Sequence, residues 1–314
     1  MVSAAPDDIA TRVAGASVVD AIGSTPLVRL TRVSRTLRNV ELYAKLEARN
    51  PGGSVKDRAA RRIVLDGERS GALGQGRILL DATSGNTGIA YAMLGAARGH
   101  RVTLCMPDNV SSERKRILEA YGANVVITSA LEGSDGAIRE ARRLAHRFPD
   151  RYFYADQYGN ESNWQAHYET TAPEIFAQTA GRVTHLVAGL GTSGTFVGTG
   201  RRLRELRPDI RLVSVQPAAS FHGLDGLKHM ASSIVPPIYD PALADENLGV
   251  ETEDAHRVLW RLWRDEGLFV GVSSGAALAG ALRVAEQSPG AVIVCIFPDG
   301  GDRYLSSGVW NDRP

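Results

Sequence analysis

The sequence is poor in cysteine, in lysine and in long apolar runs, and each shortage removes a class of protein. Only two cysteines occur in 314 residues, Cys105 and Cys295. Both lie in strand-like apolar runs, "RVTLCMP" and "AVIVCIFP". That excludes a disulfide framework and reads as buried thiols in a reducing compartment. No apolar stretch approaches the roughly 20 residues of a membrane-spanning helix. The opening "MVSAAPDDIATRVAG" has no signal-peptide pattern, so a cytoplasmic location is expected. Neither sign of charge dominates: the formal net charge is +1. Without a long basic or acidic block there is no footprint for nucleic acid or a membrane surface. Metal-ligand spacings are missing too, with no C-x-x-C and no H-E-x-x-H, and the seven histidines are scattered.

What is present reads as an α/β protein. A hydrophobic share of 43% and a charged share of 23% are ordinary for a globular chain. Its length suffices for one large or two medium domains. Short apolar runs alternate with helical stretches. "RILLDA" precedes "GIAYAMLGAARG", "RVTLCMP" precedes "SSERKRILEAYG", and "NVVITS" precedes "SDGAIREARRLAHRF". "RVTHLVAG", "IRLVSVQP" and "AVIVCIFP" continue the series. Continuous apolar strands separated by amphipathic helices predict mainly parallel sheets covered on both faces. The pattern falls into two blocks, about 48–157 and 181–300, with a cleft expected between them. The stretch "YFYADQYGNESNWQAHYET" separates the blocks.

The scarcity of lysine sharpens attention on the four present: Lys45, Lys56, Lys115 and Lys228, among 36 basic residues. Arginine stays protonated, whereas lysine can become a neutral nucleophile, so each lysine is a candidate for chemistry. Lys56 lies in "RNPGGSVKDRAARRIVLDG", where Ser54 is a plausible N-cap. A first-turn position and the nearby Arg58, Arg61 and Arg62 disfavour its ammonium form.

Three loops rich in glycine and hydroxyls follow predicted strands. "GLGTSGT" fits G-x-G-x-x-G, but the strand after it ends in Gln216 rather than the acid that a dinucleotide's ribose requires. Its hydroxyls suit a single terminal phosphate at a helix N-terminus. "GVSSG" matches a nucleophile elbow, yet no histidine follows Ser273, which removes the hydrolase reading. In "ATSGNTG", Thr83, Ser84, Asn86 and Thr87 cluster donors where a helix begins, a nest for a carboxylate.

Taken in order, "NPGGSVKDR", "TSGNTG", "QYGNESN", "GLGTSGT" and "GVSSGA" resemble the cysteine synthase/cystathionine β-synthase family of fold-type II pyridoxal-phosphate enzymes. The resemblance spans nearly the whole chain. It implies the tryptophan synthase β-like architecture. Residues 46–157 would form a smaller, mobile α/β domain, and 1–45 with 158–314 a larger one. It further implies that Lys56 forms the Schiff base and that Asn86 meets the cofactor's ring hydroxyl. Gly191, Thr192, Ser193, Gly194 and Thr195 would wrap the phosphate, and Ser273 would face the pyridine nitrogen. Thr83, Ser84, Thr87 and Gln157 would bind the substrate carboxylate. The implied reaction is a β-replacement through an α-aminoacrylate, giving L-cysteine from an O-activated serine. The sulfur donor would be sulfide or a thiocarboxylated carrier protein, and the expected assembly is a homodimer. Lys228, with His222 or His229, would select O-phosphoserine, while O-acetylserine stays open. Cystathionine β-synthase activity, a dehydratase, a diaminopropionate synthase and a silent binding protein are the alternatives.

Overall fold

The computed structural model describes residues 17–312 except positions 75 and 84. Ten strands form two sheets. The larger holds β1 (Leu27–Arg29), β2 (Glu41–Leu46), β7 (His185–Gly189), β8 (Arg211–Pro217), β9 (Glu246–Val250) and β10 (Val292–Phe297). Its order is β1-β2-β10-β7-β8-β9. The smaller holds β3 (Ile78–Ala82), β4 (Val102–Pro107), β5 (Asn124–Thr128) and β6 (Tyr152–Tyr154), in the order β5-β4-β3-β6. Every pairing is parallel except β1 with β2.

Successive residues of a strand point to opposite faces, so a strand buried on both sides is apolar at nearly every position. β10 meets that demand: Ile293, Cys295 and Phe297 join one core, and Val294 and Ile296 the other. β3 follows it at four of five positions, with Leu79 on one face and Ile78, Leu80 and Ala82 on the other, while the buried Asp81 is satisfied by the amides of Ala82 and Gln157. The six runs read as strands in the sequence all form strands. β1, β2, β6 and β9 were not foreseen. β9 alternates in exposure, and β6 is a three-residue strand inside the stretch read as a separator.

Nine helices lie among the described residues. They are α1 (Lys56–Arg69), α2 (Asn86–Arg98), α3 (Ser112–Ala120), α4 (Gly133–Arg147), α5 (Ser162–Ala166), α6 (Ala172–Gln178), α7 (Gly194–Leu206), α8 (Thr252–Asp265) and α9 (Val272–Gln287). Core residues of α1 and α2 cover one face of the smaller sheet and those of α4 the other. In the larger sheet α8 and α9 take one face and α6 and α7 the other. A π-helical turn, His167–Thr171, joins α5 to α6, a feature that often marks functional sites. No helix of the described residues is long and apolar enough to cross a membrane.

This topology sets the position of the site. The segments after β3, β6, β7, β8 and β10 all leave the carboxyl ends of parallel strands, where ligands of such sheets gather.

Candidate active site

A cleft of about 720 Å³ collects these segments. Lys56, Thr83, Asn86, Thr87, Gln157, Gly191, Thr192, Ser193, Thr195, Ser273 and Lys228 all line it. Gly194 stands behind its wall, and Ser84 lies outside the described residues.

Lys56 is the first residue of α1. The cap itself is Val55, and Ser54, the expected cap, accepts the Lys56 N–H through Oγ at 3.2 Å. Val55, Ala59, Ile63 and Val64 are buried, which fixes the helix and holds its N-terminus at the cleft. Nζ makes no hydrogen bond among the described residues. Burial lowers its pKa, and the carboxylates of Asp299 and Glu47 act in the opposite direction. The neighbouring arginines were expected to destabilise the ammonium, and two of them are engaged elsewhere. Arg58 is buried between Glu47 and Glu174, both at 2.7 Å. Arg62 pairs with Asp66 and Glu169. Of the other lysines, Lys45 is buried against Glu174 at 2.7 Å and Lys115 reaches Asp108 at 3.1 Å on the surface.

The loop after β7 is shaped by close approach. A β-carbon on Gly191 would stand 2.4 Å from the Gly226 carbonyl, and one on Gly194 2.0 Å from Asn163 Oδ1. Only glycine permits either contact. Between them Ser193 adopts φ +72°, a left-handed conformation costing about 1–2 kcal/mol for a residue with a side chain. Its Oγ is buried without a partner among the described residues. Thr192 accepts from Asn163 Nδ2 at 3.0 Å, and Thr195 Oγ1 meets His167 Nε2 at 3.3 Å. His167 is neutral, since burial pulls its pKa down to about 3. The loop opens α7, whose first-turn amides have no intrahelical acceptor. Gln216, where a dinucleotide site would need an acid, accepts the Met230 N–H at 3.0 Å.

Opposite, Thr83 Oγ1 accepts from the amides of Gly85 at 3.0 Å and Gly88 at 3.2 Å, leaving its own proton to donate. Thr87 differs: its hydroxyl donates to Gln157 Oε1 at 2.6 Å. Gln157 Nε2 in turn donates to the Ala82 carbonyl, with one N–H left over. Thr87 therefore orients Gln157 and does not present a free proton. Asn86 donates through Nδ2 to Asp299 Oδ2 at 2.6 Å and accepts from Arg303. Ser273 is buried in the first turn of α9.

Sequence reasoning missed Asp299. It is buried, accepts from Tyr304 Oη at 2.8 Å, and has one oxygen unpartnered among the described residues. Burial raises its pKa. Its position just past the carboxyl end of β10, in "FPDGGDRY", was the available signal.

Lys228 departs from expectation. It was read as a cation waiting for a phosphate, but Nζ lies 2.8 Å from Asp135 Oδ1, with its side chain 7% exposed. His222 lines the cleft, whereas His229 does not and meets Ser232 Oγ at 2.7 Å.

An orphaned buried hydroxyl at Ser193, a cradle that excludes β-carbons at Gly191 and Gly194, and an unpartnered amine at Lys56 fit pyridoxal 5′-phosphate. They supply a phosphate seat and a nucleophile for an aldehyde. Residues 18–299 match the family model described as pyridoxal-phosphate dependent enzyme. The chain is 48% identical over 308 residues to cysteine synthase of Aquifex aeolicus, covering 96% of this chain and 94% of that protein. It is 41% identical over 302 residues to O-ureido-L-serine synthase of Streptomyces lavendulae, covering 93% and 91%. The crystal structure of O-acetyl serine sulfhydrylase isoform 3 from Entamoeba histolytica superposes with a TM-score of 0.90 at 35% identity, over 98% of this chain and 95% of that one. The cleft chemistry and these likenesses agree: the chain belongs to the pyridoxal-phosphate-dependent enzyme family, in its cysteine synthase branch.

Proposed function

We propose that the protein makes L-cysteine by β-replacement on a serine whose oxygen carries an uncharged acyl group, with sulfide as the incoming nucleophile. One observation carries the choice of leaving group: Lys228 is neutralised by Asp135 at 2.8 Å. The wider charge balance agrees. Three cations line the cleft (Lys56, Arg114, Lys228) against four carboxylates (Glu132, Asp135, Asp225, Asp299), before the cofactor's own phosphate is counted. A second phosphate there would meet repulsion without a free counter-charge. One relative is named as a sulfhydrylase of O-acetyl serine, which carries no phosphate.

Pyridoxal phosphate, when bound, supplies an aldehyde for amine exchange and an electron sink beside the substrate's Cα. The chain supplies the rest. Gly191, Thr192, Ser193, Gly194 and Thr195 hold the phosphate, Asn86 the ring hydroxyl and Ser273 the pyridine nitrogen. The Thr83 hydroxyl and the spare N–H of Gln157 receive the substrate carboxylate, with Thr87 steadying Gln157. Lys56 Nζ, poorly solvated and low in pKa, holds the cofactor and then takes the proton from Cα. Fixing carboxylate, amine and base together converts an encounter into an intramolecular step. Residues 46–157 are read as the lobe that closes over substrate and excludes water. A homodimer in a reducing cytoplasm completes this reading, supported by family likeness and by two buried free thiols.

The test is Lys56→Ala. Purified wild-type protein should carry a visible cofactor band and form cysteine. The variant should lose the lysine-linked band and at least about 10³-fold in rate, as expected for removing a base and nucleophile together. A variant with undiminished turnover would end the assignment.

A further inference from the structure

An ion pair in the lining of the cleft joins two segments distant in sequence. Asp135 lies in the first turn of α4, behind the smaller sheet, while Lys228 sits on the segment that follows β8 of the larger. Asp135 Oδ1 takes Lys228 Nζ at 2.8 Å and Oδ2 takes the Ile234 N–H at 3.0 Å, so both oxygens are engaged. Lys228 is anchored as firmly. Its backbone N–H donates to the Leu190 carbonyl at 2.8 Å, next to the phosphate loop, and its ammonium lies 5.2 Å from the centre of the Tyr158 ring. The carboxyl of Asp135 stays below the usual range: burial opposes this, but the hydrogen bonds from Lys228 and Ile234 prevail. The other non-reacting cation of the cleft, Arg114, is held by Asp225 at 2.6 Å.

We propose that Asp135 is the specificity-determining residue for the leaving group: its carboxylate occupies Lys228 and so denies a phosphate on the serine oxygen its counter-charge. Removing the charge of Asp135 frees an ammonium already fixed beside the substrate's path and admits O-phospho-L-serine. The inference rests on the β-replacement reading above. Asp135 acts through Lys228 and is a positioning residue. Removing Asp135 from this partly buried pair leaves the buried Lys228 charge seeking a partner, and a phosphate of about two negative charges is the strongest partner on offer.

The experiment uses holoprotein of wild type, Asp135→Asn, Asp135→Glu and the double variant Asp135→Asn/Lys228→Met. Cysteine formation with sulfide is measured from O-acetyl-L-serine and O-phospho-L-serine, separating kcat from KM. Binding of O-phospho-L-serine is followed independently through the cofactor absorbance. Asp135→Asn keeps the side chain's size and its acceptor for Ile234. It should raise the phospho-to-acetyl ratio of kcat/KM about ten-fold or more, mainly through KM. Salt should erode the gain, because it rests on charge. Asp135→Glu should keep the wild-type ratio, and the double variant should return to it. Asp135→Ser makes the same test if the asparagine variant is unstable. An unchanged ratio in the Asn variant, or a gain that survives loss of Lys228, overturns the proposal. If wild type makes cysteine from neither serine, the β-replacement reading fails. The binding measurement then decides Asp135 alone, supporting the proposal by tighter O-phospho-L-serine binding in Asp135→Asn and overturning it by unchanged affinity.

Discussion

The side-chain amide of Asn86 donates to Oδ2 of Asp299 at 2.6 Å, joining residues 213 positions apart. The contact ties the start of α2 to the carboxyl end of β10 and fixes a buried carboxylate whose charge acts on the Lys56 amine. Asp299 also opposes the lowering of the Lys56 pKa, more strongly than Glu47 does.

Asp299→Asn should therefore lower the Lys56 pKa further, because it removes a negative charge that favours the ammonium. The rate at which apoprotein takes up pyridoxal phosphate follows the fraction of neutral amine. Its pH midpoint should move to lower pH in the variant. A midpoint that stays or rises would show that Asp299 does not act on Lys56.

Gly194→Ala would set a β-carbon 2.0 Å from Asn163 Oδ1. Asn163 donates to the Gln157 carbonyl at 2.6 Å and to Thr192 Oγ1 at 3.0 Å, so its displacement loosens both walls of the cleft. We expect a loss of about 1–3 kcal/mol in stability, the usual cost of overpacking. Cofactor affinity should fall as well, read by equilibrium dialysis. Gly226 offers a control: a β-carbon there meets nothing within 4 Å, but φ is +88°, so Gly226→Ala is strained in the backbone without a steric clash.

Asp81 is buried in β3 of the smaller sheet, and burial raises its pKa to about 7. The folded state thus binds more protons than the unfolded chain between about pH 4 and pH 7, and stability declines as pH rises across that window. Its carboxyl accepts from the amides of Ala82 at 2.8 Å and Gln157 at 3.1 Å. Asp81→Asn should flatten this slope, which is roughly 1–4 kcal/mol over the window. Urea unfolding at pH 4, 5, 6 and 7 reads it directly. An equal slope in both proteins would assign the pH dependence elsewhere.

Much of this was legible from pattern. β3, β4, β7, β8 and β10 announce themselves because strands buried on both faces are mostly apolar. Lys56 stood out because the chain otherwise favours arginine, and the hydroxyl-rich loops lie where parallel strands end. Other features depend on contacts between distant segments and leave no local trace. The pairing of Lys228 with Asp135 spans 93 residues, and nothing near either one predicts it. Asp299 left no sequence signal of its role beyond its place past a strand end, because its partners Asn86 and Tyr304 meet it only in the folded chain. The left-handed φ of Ser193 was hidden too, since a serine there costs energy that the surrounding packing has to offset.

The central claim, β-replacement on an acylated serine, is tested most directly by product partition. Holoprotein is given O-acetyl-L-serine with and without sulfide, and cysteine and pyruvate are quantified together. The account predicts that cysteine forms only with sulfide present and there outpaces pyruvate. Pyruvate dominating despite saturating sulfide, or no turnover by protein carrying its cofactor, would contradict it.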